Sequence, residues 1–70
     1  MKNRIKMARQ LKELTQSELA KQVGCTRQTI GLIEAGKFNP SLQLCVEIAL
    51  ALDKTLDELF WFKELSKNER

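Results

Sequence analysis

Apolar positions along this chain recur at the three- and four-residue spacing of short amphipathic helices, with capping residues between them. The pattern is sharpest from Thr15 to Gly36. Thr15 is an N-cap with Glu18 three residues on, which makes a capping box. Leu19, Ala20 and Val23 share one face of the helix that follows, roughly Gln16 to Val23. Gly24 supplies the left-handed residue that stops it, and Cys25 fills the turn. Thr26 caps a further helix running through Ala35, with Ile30 and Ile33 as its buried stripe and Gly36 as its end. Helices this short are not stable alone. Leu19, Ala20, Val23, Cys25, Ile30 and Ile33 must therefore hold the two at an angle around one apolar corner.

The flanking segments read in the same way. A first helix is expected from about Asn3 to Glu13, with Ile5, Ala8 and either Met7 or Leu11 on its inner face. Pro40 and Ser41 start a fourth, with Ser41 as N-cap. Its apolar set, Leu42, Leu44, Cys45, Ile48, Ala49 and Leu52, predicts a helix lying across the core and ending at Asp53-Lys54. Thr55 and Glu58 form a second capping box for a short fifth helix, with Leu56 and Leu59 inward. The expected fold is all-α, a compact five-helix domain. Phe60, Trp61 and Phe62 then follow in a row, more aromatic surface than one small domain usually covers. Such residues favour strand, so 60–63 are expected to extend as a short C-terminal strand, paired with the N-terminal residues or with a twin segment. Lys63 to Arg70 is polar apart from Leu65.

Composition narrows the picture. Seventy residues make one domain, and no apolar run approaches the roughly 18 residues of a membrane span. Met1-Lys2-Asn3-Arg4 lacks the apolar segment of a signal peptide, so a cytoplasmic protein without membrane contact is expected. Cys25 and Cys45 match no zinc spacing and there is no His, so no metal or other cofactor is expected. Two reduced, buried thiols are the favoured reading, and a redox-sensing pair is the other. Net charge is +3 but unevenly spread. Residues 1–40 carry eight basic against three acidic residues, and residues 41–70 four against six. The basic half is the one that holds the paired helices around Gly24, the electrostatic footprint of a nucleic-acid face.

Two short helices at an angle around a tight turn make a helix-turn-helix, whose second helix has the shape that enters a DNA major groove. Arg27, Gln28, Thr29 and Leu32 are then left facing outward as candidate base contacts. Gln28 can pair bidentately with adenine, and Arg27 with guanine or with phosphate. Thr29 can touch a base edge or a thymine methyl group. Leu32 either contacts a thymine methyl or is simply exposed. Gln16 and Thr26 sit where helix N-termini present unpaired N–H groups to phosphate, and Lys37 and Asn39 are suited to phosphate contacts from the loop that follows.

At these residues the chain resembles the Cro/CI-type family of helix-turn-helix regulators, phage-repressor-like proteins also grouped as xenobiotic-response-element regulators. The resemblance rests on Thr-Gln-Ser-Glu-Leu-Ala at 15–20, Gly24, Thr-Arg-Gln-Thr-Ile at 26–30, Ile-Glu-Ala-Gly-Lys at 33–37 and Asn-Pro-Ser at 39–41. It covers about residues 5–59 as one domain, with the motif itself at about 16–35. It implies that Arg9 pairs with Glu34, and that Gln16 contacts backbone phosphate and braces the recognition helix. The resemblance implies a sequence-specific regulator of transcription, expected to be a repressor, which binds a pseudo-palindromic operator in double-stranded DNA as a homodimer. An antitoxin-like DNA-binding protein that neutralises a partner toxin is the second reading, and a pure protein-interaction module the third. No nucleophile–base constellation or phosphate loop points to an enzyme, and no small-molecule ligand is evident. Residues 60–70 are left as the dimerisation segment, with Phe60, Trp61 and Phe62 as the expected two-fold interface.

Overall fold

A computed structural model describes residues 2–60 of the chain. Five helices follow one another: α1 (Ile5–Leu11), α2 (Gln16–Val23), α3 (Arg27–Glu34), α4 (Leu42–Leu52) and α5 (Leu56–Leu59). No sheet is formed among the described residues, and one isolated antiparallel bridge joins Asn3 to Phe60. No described helix is long and apolar enough to cross a membrane.

Four of the five helices start at a side-chain cap. The hydroxyls of Thr15, Thr26, Ser41 and Thr55 accept the N–H of the residue three positions on, and Thr15 and Thr55 do so within full capping boxes. Each cap satisfies an N–H that the helix itself leaves unpaired. The Glu18 and Glu58 carboxyls return a bond to the N–H of Thr15 and of Thr55. Both are held below the ordinary carboxylate range, chiefly by that bond to the cap's backbone. At the other ends, Gly24 closes α2 in the left-handed region at φ 75°, and Asp53 closes α4 at φ 60°.

The core is one cluster. Ile5, Leu19, Ile30, Ile33, Ile48, Leu52 and Leu59 are its fully buried large side chains. They come from all five helices, so no helix buries its stripe without the others.

Four expectations from the sequence are corrected here. Helix α1 begins later and ends earlier than Asn3–Glu13. Asn3 is held as an extended partner of Phe60, the Arg4 N–H donates to the Leu59 carbonyl, and Glu13 turns left-handed at φ 56°. Met7 and Leu11 both face solvent, at 62% and 73% exposure, so neither extends the inner face of α1. Leu42, expected inside, is 72% exposed. Helix α4 is apolar at almost every position, and only one of its faces can be inside. Cys45, Ile48, Ala49 and Leu52 take that face, which turns Leu42, Val46 and Leu50 outward.

Phe60 is the fourth correction. It was expected in a dimer interface, but it is 3% exposed and belongs to the core of the single chain. Its N–H donates to the Leu56 carbonyl, and its backbone is extended beside Asn3. The backbone of residue 60 thus meets the expectation of an extended segment near the N-terminus, while its side chain is used inside. Trp61 and Phe62 lie outside the described residues.

Candidate nucleic-acid interface

Helices α2 and α3 meet across the turn at Gly24 and Cys25. The Cys25 N–H donates to the Ala20 carbonyl, which fixes the chain as it leaves α2. Thr26 then caps α3 with an extended backbone, at φ −93° and ψ 158°. This reversal carries α3 across α2 with Ile30 and Ile33 buried and the rest of its surface turned away.

The C-terminal half of α3 is anchored by polar contacts. The Arg9 Nε donates to Glu34 Oε2 at 2.7 Å and its Nη2 to Oε1 at 3.3 Å, a bidentate pair. The Arg9 Nη1 donates to the Leu14 carbonyl at 2.8 Å. The two side chains keep only 10% and 5% of their exposure. The Gln16 Nε2 donates to the same Glu34 Oε1 at 3.0 Å. One residue before Glu34, the Ile33 carbonyl accepts from the Asn3 Nδ2 at 2.7 Å. Three residues from outside α3 therefore converge on its last two positions.

Gly31 belongs to this arrangement. A Cβ placed there would stand 3.8 Å from the Gln16 amide nitrogen, an ordinary contact distance. Its surface therefore faces α2. Asn3 was not among the residues singled out from the sequence. Its signal is visible only in retrospect, as an amide side chain next to a helix start.

The other expected site residues belong to α2, α3 and the loop after α3. Arg27, Gln28, Lys37 and Asn39 are exposed, as is Thr26, whose hydroxyl also serves as the α3 cap. Thr29 is half-buried, and Leu32 is 39% exposed. Gln16 is half-buried at the first position of α2, one amide hydrogen committed to Glu34. After α3, the Lys37 N–H returns to the Leu32 carbonyl and Gly36 sits at φ 74°, which bends the loop back over the end of the helix. The exposed basic side chains of Lys21, Arg27 and Lys37 are spread over these elements.

Cys25 is half-buried and Cys45 buried, both are reduced, and burial raises the pKa of each. A raised pKa lowers the thiolate fraction on which redox reactivity depends.

Known proteins share this arrangement. The helix-turn-helix family model matches residues 5–59. An HTH-type transcriptional regulator of Methanocaldococcus jannaschii is 44% identical over 64 residues, covering 91% of this chain and 97% of its own. One from Archaeoglobus fulgidus is 45% identical over 64 residues, with 91% and 90% covered. Among solved structures, the restriction-modification controller protein C.AhdI from Aeromonas hydrophila superposes with a TM-score of 0.76. It is 38% identical and covers 81% of this chain and 86% of its own.

Proposed function

The chain belongs to the Cro/CI-type helix-turn-helix family of transcriptional regulators, and we propose that within it this protein is a sequence-specific repressor. It acts as a homodimer on a pseudo-palindromic operator in the double-stranded DNA of the cytoplasm. Its role is regulatory and not catalytic. The observation that carries this reading is the asymmetry of α3. Its C-terminal end is fixed by Asn3, Arg9 and Gln16, while Arg27, Gln28, Thr29 and Leu32 stand on the remaining surface. A helix held by its far end and polar at its near end is built to be inserted. Gln28 and Arg27 read base edges. Gln16, Thr26, Lys37 and Asn39 contact phosphates, which set the register of the helix in the groove.

One α3 reads only a few base pairs, and a two-fold dimer doubles the site with recognition helices about 34 Å apart. Trp61 and Phe62 follow directly on the buried Phe60 and supply the aromatic surface for that contact. Seated over a promoter, such a dimer excludes the polymerase, which is the basis of the repressor assignment. The relatives are named as transcriptional regulators, so an antitoxin role is not favoured.

The test is a duplex selected from a random library, titrated at several salt concentrations. With about 6–10 phosphates contacted by the dimer, affinity falls about 10³–10⁵-fold between 50 and 200 mM salt. Lys37→Ala weakens all duplexes alike and flattens that slope. Affinity independent of salt would rule the groove-binding reading out. Sedimentation of Trp61→Ala and Phe62→Ala checks the dimer separately, since both stay dimeric if the contact lies elsewhere.

A further inference from the structure

Helices α1 and α5 leave a groove between them at the surface. Ala8 and Leu59 are buried beneath it, and Met7 and Leu11, one helical turn apart on α1, are its exposed apolar lining. Arg4, Lys54 and Glu58 complete the lining with two cations and a carboxylate. The groove holds about 180 Å³. A small-molecule site needs roughly 300–1,000 Å³, whereas roughly 150 Å³ receives a benzene ring. This groove is therefore sized for one aromatic side chain. Its polar rim suits an indole better than a phenyl ring, since an indole has an N–H to satisfy and a face that attracts cations. Glu58 accepts the Thr55 N–H at Oε1, and its Oε2 can accept from such a donor.

The chain supplies such a ring. Its one tryptophan is Trp61, two residues after the groove residue Leu59. Within a single copy the direction is wrong. Phe60 pairs antiparallel with Asn3 and the Arg4 N–H bonds the Leu59 carbonyl, so the chain leaves Phe60 in the sense that runs from Arg4 back to Lys2. The groove extends the other way, from Arg4 along α1 to Leu11. A second copy is under no such constraint. We infer that the groove between α1 and α5 receives Trp61 of a second copy of this chain, and that two copies exchange these rings across a two-fold axis. The inference rests on the homodimer reading and deepens it by naming the surface that the aromatic residue meets. A two-fold contact uses each patch twice, so one groove and one ring per chain make two equivalent insertions. An aromatic anchor seated in a pocket carries much of the energy of a small interface. Buried Phe60 fixes the chain up to the residue before the ring, which lessens the freedom lost on docking.

The experiment uses the emission of Trp61, which no other tryptophan obscures. Emission and sedimentation equilibrium are followed together over a dilution series of the full chain. The parent should be a dimer with blue-shifted emission that moves to the red as it dissociates. Met7→Glu and Leu11→Glu alter exposed side chains, so the single chain keeps its fold, checked by circular dichroism. Each should raise the dimer dissociation constant at least about tenfold, the weight of one buried apolar side chain, and shift the emission to the red. A mixture then shows whether the ring crosses between copies. Trp61→Ala has no tryptophan but an intact groove, so adding it to Met7→Glu should return the emission of Met7→Glu toward the blue as a mixed dimer forms. A parent dimer whose emission and dissociation constant ignore both Glu variants overturns the inference while the homodimer reading stands. Blue-shifted emission that persists in the dissociated parent also overturns it, as does a mixture that shows no shift, because the ring then lies against its own chain. A parent that is monomeric at every concentration would instead remove the homodimer reading, and the inference with it.

Discussion

Helices α3 and α4 pack against the same core but are held there by different forces. Helix α4 is eleven residues long and buries Cys45, Ile48, Ala49 and Leu52. Helix α3 is eight residues long and buries two isoleucines. The shorter helix makes up the difference with directed contacts, the Arg9–Glu34 pair, the Gln16 amide and the Asn3 amide. Apolar burial is non-directional, so it fixes that a helix is packed more firmly than how it is rotated. A bidentate ion pair with two further hydrogen bonds fixes rotation as well. On the proposed function α3 has to present particular side chains at a particular angle, and of these two helices it is the one with that second kind of restraint.

The largest effect should come from breaking this restraint. Arg9→Ala and Glu34→Ala are each expected to destabilise the fold by about 3–5 kcal/mol in urea unfolding, because each strands a buried charge. The double variant should lose much less than the sum of the two. Small additive losses would show that the anchor does not matter. On α4 the comparable change is Ile48→Ala, which should cost about 2–5 kcal/mol through a cavity. It should leave base preference unchanged in a repeat of the site selection, because it does not touch the α3 anchor.

A smaller and different effect is expected on the outer face. Gln28→Ala should weaken the best site by about 1–3 kcal/mol and relax preference at one position, with the melting temperature unchanged. Equal loss on specific and random duplexes would make Gln28 a phosphate contact instead. On the outer face of α4, Leu50→Gln should shift stability by no more than about 0.5 kcal/mol, since Leu50 is already 71% exposed.

Acid should separate the capping boxes from the rest. Glu18 and Glu58 have folded-state pKa values below the ordinary 4.5, so each stabilises the fold fully above that value. The contribution is lost as pH falls through the lowered value. Glu18→Gln and Glu58→Gln should flatten the fall of melting temperature below pH 4.5, measured by circular dichroism.

The two helices also differ in how far the sequence disclosed them. The bounds expected for α2 and the N-terminal end of α3 match those observed, because Thr15, Gly24 and Thr26 act through their own residue chemistry and need no tertiary partner. Helix α4 was placed along the chain just as well, from Ser41 to Asp53, but its orientation was misread at Leu42. A helix apolar all round gives periodicity no face to choose. The ends of α1 were misread for another reason. They are set by Asn3 pairing with Phe60 and by Glu13 in a left-handed turn, and neither residue type announces that role. Phe60 was placed outside because three consecutive aromatics look like one patch. Its place in the core depends on the pairing with Asn3, which an aromatic run does not announce. For the interface, Arg27, Gln28, Lys37 and Asn39 were legible as exposed polar residues after a turn. The Thr26–Thr29 hydroxyl contact, at 2.9 Å, was not, because it depends on a rotamer.

The bridge between Asn3 and Phe60 has a bearing on the order in which the molecule assembles. It joins residues near opposite ends of the described chain, whereas α2 and α3 are joined through a turn of three residues. Loop closure becomes entropically harder as the intervening chain lengthens, so the bridge should form after the α2–α3 corner and open before it. Amide hydrogen exchange would register this directly. The Arg4 N–H, bonded to the Leu59 carbonyl, should exchange through a partial opening in which the Ile30 N–H, bonded to the Thr26 carbonyl, stays protected. The α2–α3 corner would then keep its shape while Asn3 and Phe60 come apart.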